Sequence, residues 1–251
     1  MKIISIICQK GGVGKTTTVV NIASLLANRG FKTLIIDTDP QGNVSTYLDQ
    51  DKNTKEFTSI VDIFNGELNI KPVSLNENLY LIASNIEISK YNEEKIVGGS
   101  KLRKIRDNEI IKSFDFVIFD TPPTMSSLVQ EALSASDYYL IPAKPEFLAV
   151  EGVGQAMAFA KKTISTVPQS DPLFLGVLLN QVDTRRTSYL EFESELKYLL
   201  ADKLFTSHIS QLTEIADSPF YAKTVLDFNE NSKARIEYEN FCQELLEKVG
   251  L

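Results

Sequence analysis

The chain has 251 residues, 43% hydrophobic and 24% charged, and its 26 lysines and arginines against 33 aspartates and glutamates leave a formal net charge of −7. That length allows one or two domains at roughly 150 residues each, and α/β chains of this size are often one domain with one large core. One histidine, His208, and two cysteines, Cys8 and Cys242, exclude a His-rich zinc site, a CxxC pair and a disulfide framework, and the acidic balance restricts any nucleic-acid binding to a local patch.

Catalysis, if present, therefore rests on carboxylates, lysines, hydroxyls or a cofactor. No apolar run approaches the roughly 20 residues a spanning helix needs, and the start, MKIISIICQKGG, turns Gly-rich too early for a signal peptide, so a cytoplasmic protein is expected.

In chain order, short apolar runs predict strands at Ile3 to Ile7, Thr33 to Ile36, Leu79 to Ile82, Phe116 to Phe119, Tyr138 to Ile141 and Leu173 to Leu179. Helical patterns lie near 15–29, 101–112, 126–135, 146–165, 188–201 and 231–248. The strands are apolar on consecutive positions, as in a parallel sheet buried on both faces. The alternation predicts an α/β fold: a doubly wound, mostly parallel sheet with helices on both faces and ligands at the carboxyl ends of the strands, as one domain over 1–251. The polar stretch from Asp49 to Ser100 reads as surface decoration. On the helix at 146–165, Phe147, Val150, Val153, Met157 and Phe159 read as core or dimer contact. His208 reads as a strand-end residue without a catalytic role.

The first strand runs into Gln9-Lys10-Gly11-Gly12-Val13-Gly14-Lys15-Thr16-Thr17-Thr18 and then a helical pattern. Glycines let backbone N–H groups converge on a phosphate without Cβ obstruction, and the helix N-terminus adds its positive end. Lys15 can then reach the β- and γ-phosphates and the Thr16 hydroxyl can ligate Mg²⁺. A dinucleotide-binding reading of Gly12-x-Gly14 with the later Asp37 fails where Thr17 replaces the third glycine, and it leaves Lys15 unexplained. The strict P-loop pattern also departs at one place, where Gln9 stands for a glycine, and beside it is an additional lysine, Lys10.

KGGVGKTT resembles the deviant Walker A box of the ParA/MinD family of ATPases. The resemblance implies ATP and Mg²⁺ as cofactors, bound by Gly11, Gly12, Val13, Gly14, Lys15, Thr16 and Thr17, and a Lys10 that reaches the partner's nucleotide across a dimer interface. Asp37-Thr38-Asp39-Pro40-Gln41-Gly42-Asn43 is similar to the family's first switch, which implies that Asp39 orients the attacking water beside the metal. Asp37 reads as a support of that loop or of the metal shell. Phe116 to Asp120 followed by Thr121-Pro122-Pro123 is similar to a Walker B strand and second switch, with Asp120 aimed at Mg²⁺. Asn180 is similar to the family's adenine-contacting residue. Catalytic roles thus fall to Lys10, Lys15 and Asp39, and the metal to Thr16, Asp39 and Asp120.

The resemblance covers nearly the whole chain and looks like the short, Soj-like form. It implies an ATP-dependent homodimer that coats non-specific DNA, a nucleoid-associated location, and release by a ParB-like centromere-binding partner. Two arginines common in relatives are replaced by His208 and Gln211, so phosphate contacts are expected from Arg185, Arg186, Lys203, Lys223, Lys233 and Arg235. A second basic group, Lys101, Arg103, Lys104 and Arg106, lies on a predicted surface helix. The alternative is a MinD-like membrane-positioning or cargo-positioning ATPase. It needs a basic amphipathic C-terminal helix, whereas this chain closes on an acidic one, so no membrane partner is expected. An iron–sulfur reductase of the same fold would need cluster cysteines, which Cys8 and Cys242 do not supply. Cys8 reads instead as a small buried residue of the first strand.

Overall fold

The computed structural model describes residues 1–94, 96, 100–146, 148–167 and 170–251. Among them one sheet runs in the order β3-β4-β2-β5-β1-β6-β7-β8. Its strands are β1 (Lys2–Ile6), β2 (Thr33–Asp37), β3 (Val73–Ser74), β4 (Leu79–Ile82), β5 (Phe116–Asp120), β6 (Tyr138–Ala143), β7 (Leu173–Val182) and β8 (Leu204–Ser210). All neighbours pair in parallel except β3 with β4. The six predicted strands are present, and the expected fold class holds.

Alternation along the strands divides the core into layers. Ile4, Ile6, Ile35 and Ile118 face α1 (Lys15–Asn28) and the C-terminal helix α10 (Lys233–Lys248), whereas Ile3, Leu34, Ile36, Val117 and Phe119 face the opposite layer. That second layer comprises α3 (Ile60–Phe64), α4 (Lys101–Ile105), α5 (Glu109–Lys112), α6 (Ser127–Ala135), α7 (Ala149–Thr166) and α8 (Thr187–Leu200), while the short α2 (Asn43–Tyr47) and α9 (Thr213–Asp217) pack on the first. The helix expected from 146 begins at Ala149. Its Val153 is buried, and Val150, Met157 and Phe159 pack on the same cluster, while Phe147 lies outside the described residues.

Three expectations are corrected. The segment from Asp49 to Ser100 contributes core as well as surface: Ile60, Val61, Ile63, Phe64 and Ile88 are buried, and α3 is set by a capping box of Ser59 and Asp62. The helix expected over 101–112 breaks in two, because the Asn108 side chain accepts from Ile110 N and restarts the chain as α5. Its basic group is partly structural. Arg103 donates to Ser134 O at 2.9 Å and Arg106 to Ala135 O at 2.9 Å, satisfying open carbonyls at the end of α6, and Arg106 also pairs with Asp137.

The strand β8 is not among the six predicted runs, although His208, read as a strand-end residue, lies within it. It lies at the sheet edge, where one face meets solvent and the apolar run breaks up into LFTSHIS. Its outward N–H groups are taken by the acidic residues of α10: Thr206 N and Ser207 N donate to Glu244 at 2.8 and 2.9 Å, and Ser210 N to Glu237 at 2.7 Å. The helix buries Ala234, Tyr238, Phe241, Cys242, Leu245 and Leu246, a stripe at helical spacing.

Candidate functional site

The carboxyl ends of β1, β2 and β5 meet at one point. Thr38 Oγ1 donates to Asp120 O at 2.7 Å and Thr121 Oγ1 to Ile6 O at 2.7 Å, so the loops that follow these strands leave from a fixed platform. Above it the chain from Cys8 turns through Gly12 (φ +73°) and Gly14 (φ +85°) into α1. Gly14 is the N-cap and offers no side-chain acceptor, which leaves the first N–H groups of α1 open to an incoming anion. A Cβ on Gly14 would also stand 2.3 Å from Asn180 Nδ2, so only glycine fits there.

A cavity of about 420 Å³ opens on this turn. Gly11, Gly12, Gly14, Lys15, Thr16 and Thr17 line it together with Asp39, Gln41 and Pro123. Lys15 is buried and donates to Lys10 O at 3.3 Å; burial lowers its pKa, and Asp120 and Asp39 oppose that shift. A phosphate in this cavity would supply the counter-charge that the ammonium lacks.

Thr16 Oγ1 donates to Asp120 Oδ2 at 2.6 Å, and Asp120 Oδ1 is buried without a partner. Burial, with the nearby Asp39 charge, pushes the Asp120 carboxyl up to about 7, although the Thr16 hydrogen bond and Lys15 pull it down. A hydroxyl and a carboxylate with a free buried oxygen fit Mg²⁺, a hard cation that takes one or two protein ligands and completes its shell with water and phosphate. No cluster of three His, Cys, Asp or Glu residues suited to a metal occurs among the described residues.

Asp37 and Asp39 divide their work. Asp37 is fully buried, accepts from Asp39 N at 2.9 Å and Val44 N at 3.2 Å, and is raised well above the usual carboxylate range by burial and by Asp120, its register neighbour on β5. It therefore holds the loop. Asp39 accepts from Gln41 N at 2.9 Å and lines the cavity beside Lys15 and Thr16.

Lys10 is not among the residues that line this cavity. Its ammonium pairs with Glu146, which also holds Lys144 at 2.6 Å, and the two lysines keep the Glu146 carboxyl down at about 2. Glu146 escaped the sequence reading. The available signal was its place in Lys144-Pro145-Glu146 just after β6, because β6 neighbours β1 and its exit loop must flank the glycine turn.

Asn180 sits inside β7 rather than after it, since the strand continues to Val182. It donates to Val13 O at 2.8 Å and, with Gln181, lines a second cavity of about 190 Å³ walled by Gly14, Thr17, Gln211, Leu212 and Pro219. The two cavities share Gly14, Thr17 and Pro219, so a base and its phosphates could lie in one continuous cleft.

The basic candidates are scattered. Arg185 and Arg186 are exposed on the loop after β7 and pair with Asp183 at 2.8 and 3.7 Å. They share a surface hollow with Gln211, Leu212 and Thr213, beyond the base cavity. Lys223 is exposed, its ammonium 6.0 Å from the Tyr221 ring. Lys203 pairs with Asp202, Lys233 with Glu237 at 3.6 Å, and Arg235, with only 18% of its side chain exposed, with Glu239 at 2.9 Å.

Comparison with known proteins places this geometry. The family described as "AAA domain" matches residues 1–170. Sporulation initiation inhibitor protein Soj of Bacillus subtilis is 32% identical over 97% of this chain and 98% of its own. A putative plasmid partition protein of Borrelia burgdorferi, solved with AMPPNP bound, is 26% identical with a TM-score of 0.80 over 98% of this chain and 99% of its own. Apo McdA of Cyanothece has a TM-score of 0.86 at 21% identity over 98% of this chain and 99% of its own, a likeness of fold.

Proposed function

This chain belongs to the ParA/Soj family of P-loop ATPases, and we propose that it is an ATP-timed DNA-partitioning switch, folded as one domain over 1–251. The observation that carries the reading is the convergence of Lys15, Thr16 and Asp120, with its free Oδ1, on a cavity that Asp39 also lines. ATP seats its phosphates against the amides of Gly11 to Thr17 and the Lys15 ammonium, with the base toward Asn180. Thr16 and Asp120 would hold Mg²⁺, which would supply charge neutralisation to the bound phosphates. Asp39 orients the attacking water and accepts its proton.

Two copies close over two nucleotides, each giving Lys10 to the other's phosphates. Isolated, the site turns over near 10⁻³ s⁻¹ or below, and a completed site gains about 10³–10⁵. A ParB-like partner supplies that completion and ends the DNA-bound state. DNA contacts fall to Arg185, Arg186 and Lys223, which remain solvent-facing. Lys233 is as exposed as Arg186, and each of the two is held by a carboxylate, whereas Arg235 is largely covered and contributes less. A membrane role is disfavoured, because the apolar stripe of α10 is already buried and no helix among the described residues is long and apolar enough to cross a bilayer.

The test is binding to non-specific DNA with and without ATP across a salt series. ATP-dependent binding whose log K falls with log salt at about 0.9 per phosphate neutralised supports the reading. Binding to anionic liposomes without DNA binding would reverse it.

A further inference from the structure

Two consecutive side-chain amides at the end of β7 grip two consecutive carbonyls of the glycine turn. Asn180 Nδ2 donates to Val13 O at 2.8 Å and Gln181 Nε2 donates to Gly12 O at 2.6 Å. Regular strand geometry forbids this, because neighbouring side chains point to opposite faces of the sheet. The chain manages it with a bulge: the β7–β8 register shifts between Leu179 and Val182, and Gln181 takes φ +54°, a left-handed conformation that strains a residue with a Cβ. The same bend brings Gln181 N to Asn180 Oδ1 at 3.0 Å, which fixes the Asn180 amide with its N–H₂ toward Val13.

We propose that Gln181 is a positioning residue of the nucleotide site, acting through the Gly12–Val13 peptide. A trans peptide is planar, with its C=O and N–H antiparallel. Holding Gly12 O and Val13 O toward β7 therefore turns the N–H groups of Val13 and Gly14 away from β7, the direction an anion in the adjoining cavity requires. Gly12 has φ +73° and nothing within 4 Å of where a Cβ would be, and the Gln181 amide holds its carbonyl. The strain at Gln181 is thus spent on preorganising donors before the phosphates arrive.

This inference rests on the nucleotide reading of the Gly11–Thr17 turn, and its test separates the two. Titration of the intact protein with a fluorescent ATP analogue and Mg²⁺ gives the dissociation constants of wild type, Gln181→Met and Gln181→Glu. The methionine keeps length without a donor and should weaken binding about three- to tenfold. The glutamate sets a carboxylate against Gly12 O and should weaken it about tenfold or more at pH 7.5, with the ratio to wild type narrowing toward pH 5, because the facing carbonyl favours the protonated carboxyl, which can donate again. Tripolyphosphate with Mg²⁺, which has no base to meet Gln181 in the second cavity, should show the same losses in both variants. Equal ATP affinity in wild type and both variants overturns the positioning role, as does a Gln181→Glu deficit that does not narrow with falling pH. Absence of nucleotide binding by wild type overturns the site reading and the role together.

Discussion

Thr16 Oγ1 and Asp120 Oδ2, 104 residues apart in sequence, lie 2.6 Å apart at the meeting of α1 and β5, and the other Asp120 oxygen is buried with no partner. The site therefore carries a half-satisfied carboxylate at its centre. Replacing Asp120 by Asn keeps an acceptor for Thr16 and removes the buried charge. Asp120→Asn should stabilise the nucleotide-free protein, on the order of 1–3 kcal/mol near pH 8, while abolishing Mg²⁺-dependent ATP binding. Thermal melts with and without Mg²⁺ and ATP check both halves; a variant less stable than wild type at pH 8 would show that Asp120 is a structural support.

The same carboxyl sets a pH dependence. Burial raises its folded pKa to about 7, above the unfolded value of 3.8, so between these limits the folded state binds more protons than the unfolded one. Stability of the nucleotide-free protein from this group is then fully present at low pH and falls as pH rises toward 7. Asp37, also raised, acts in the same direction. Denaturant titrations at pH 5, 6, 7 and 8 should show the advantage of Asp120→Asn over wild type growing with pH. A constant difference would mean that Asp120 is ionised throughout.

Lys15→Ala removes the buried ammonium that faces the phosphates, and ATP affinity should drop about 100-fold or more. Since burial already lowers the pKa of this lysine, the nucleotide-free fold should tolerate the change. Calorimetric titration gives the answer directly, and unchanged affinity removes the assignment of the Gly11–Thr17 turn.

Much of this site was legible because its chemistry is local. Gly14-Lys15-Thr16-Thr17 after an apolar strand carries its own geometry, and strand-closing Asp37 and Asp120 fall on adjacent β2 and β5 once the sheet is doubly wound. What escaped depends on contacts distant in sequence. Glu146 pairs with Lys10 across 136 residues, and Gln181 reaches Gly12 across 169 through a bulge that no spacing rule announces. The edge strand β8 was hidden because Thr206, Ser207 and His208 interrupt its apolar residues Leu204, Phe205 and Ile209, and its outer N–H groups depend on Glu237 and Glu244 of α10.

Asp39→Ala should keep ATP binding and lower hydrolysis by about 10²–10⁴-fold, because water positioning is lost while Lys15, Thr16 and Asp120 remain. Asp39 also accepts from Gln41 N, so Asp39→Asn, which keeps that bond, separates catalysis from loop support. Phosphate release by the two variants should be equally slow. Wild-type turnover in Asp39→Asn would make Asp39 a turn residue.

The last prediction concerns Lys10, which pairs with Glu146 of the same chain rather than lining the phosphate cavity. Both side chains are over one-third exposed, 42% and 34%, so the pair is worth about 1 kcal/mol or less and is cheap to exchange for another anion. The Glu146 carboxyl, held at about 2, is charged at every working pH, so exchange depends on the incoming phosphates and not on protonation. Two nucleotides brought face to face present several negative charges and need a compensating cation from each subunit. Lys10→Ala should therefore bind ATP through Lys15 and Thr16 yet stay monomeric, and Lys10→Gln should behave likewise because length cannot replace charge. Glu146→Gln, which frees Lys10 without removing it, should dimerise with ATP at least as well as wild type. Light scattering with ATP and Mg²⁺, in an Asp39→Ala background to suppress turnover, reads all three. A stable dimer in the Lys10→Ala, Asp39→Ala double variant would make Lys10 an ordinary loop lysine and Glu146 merely its surface partner.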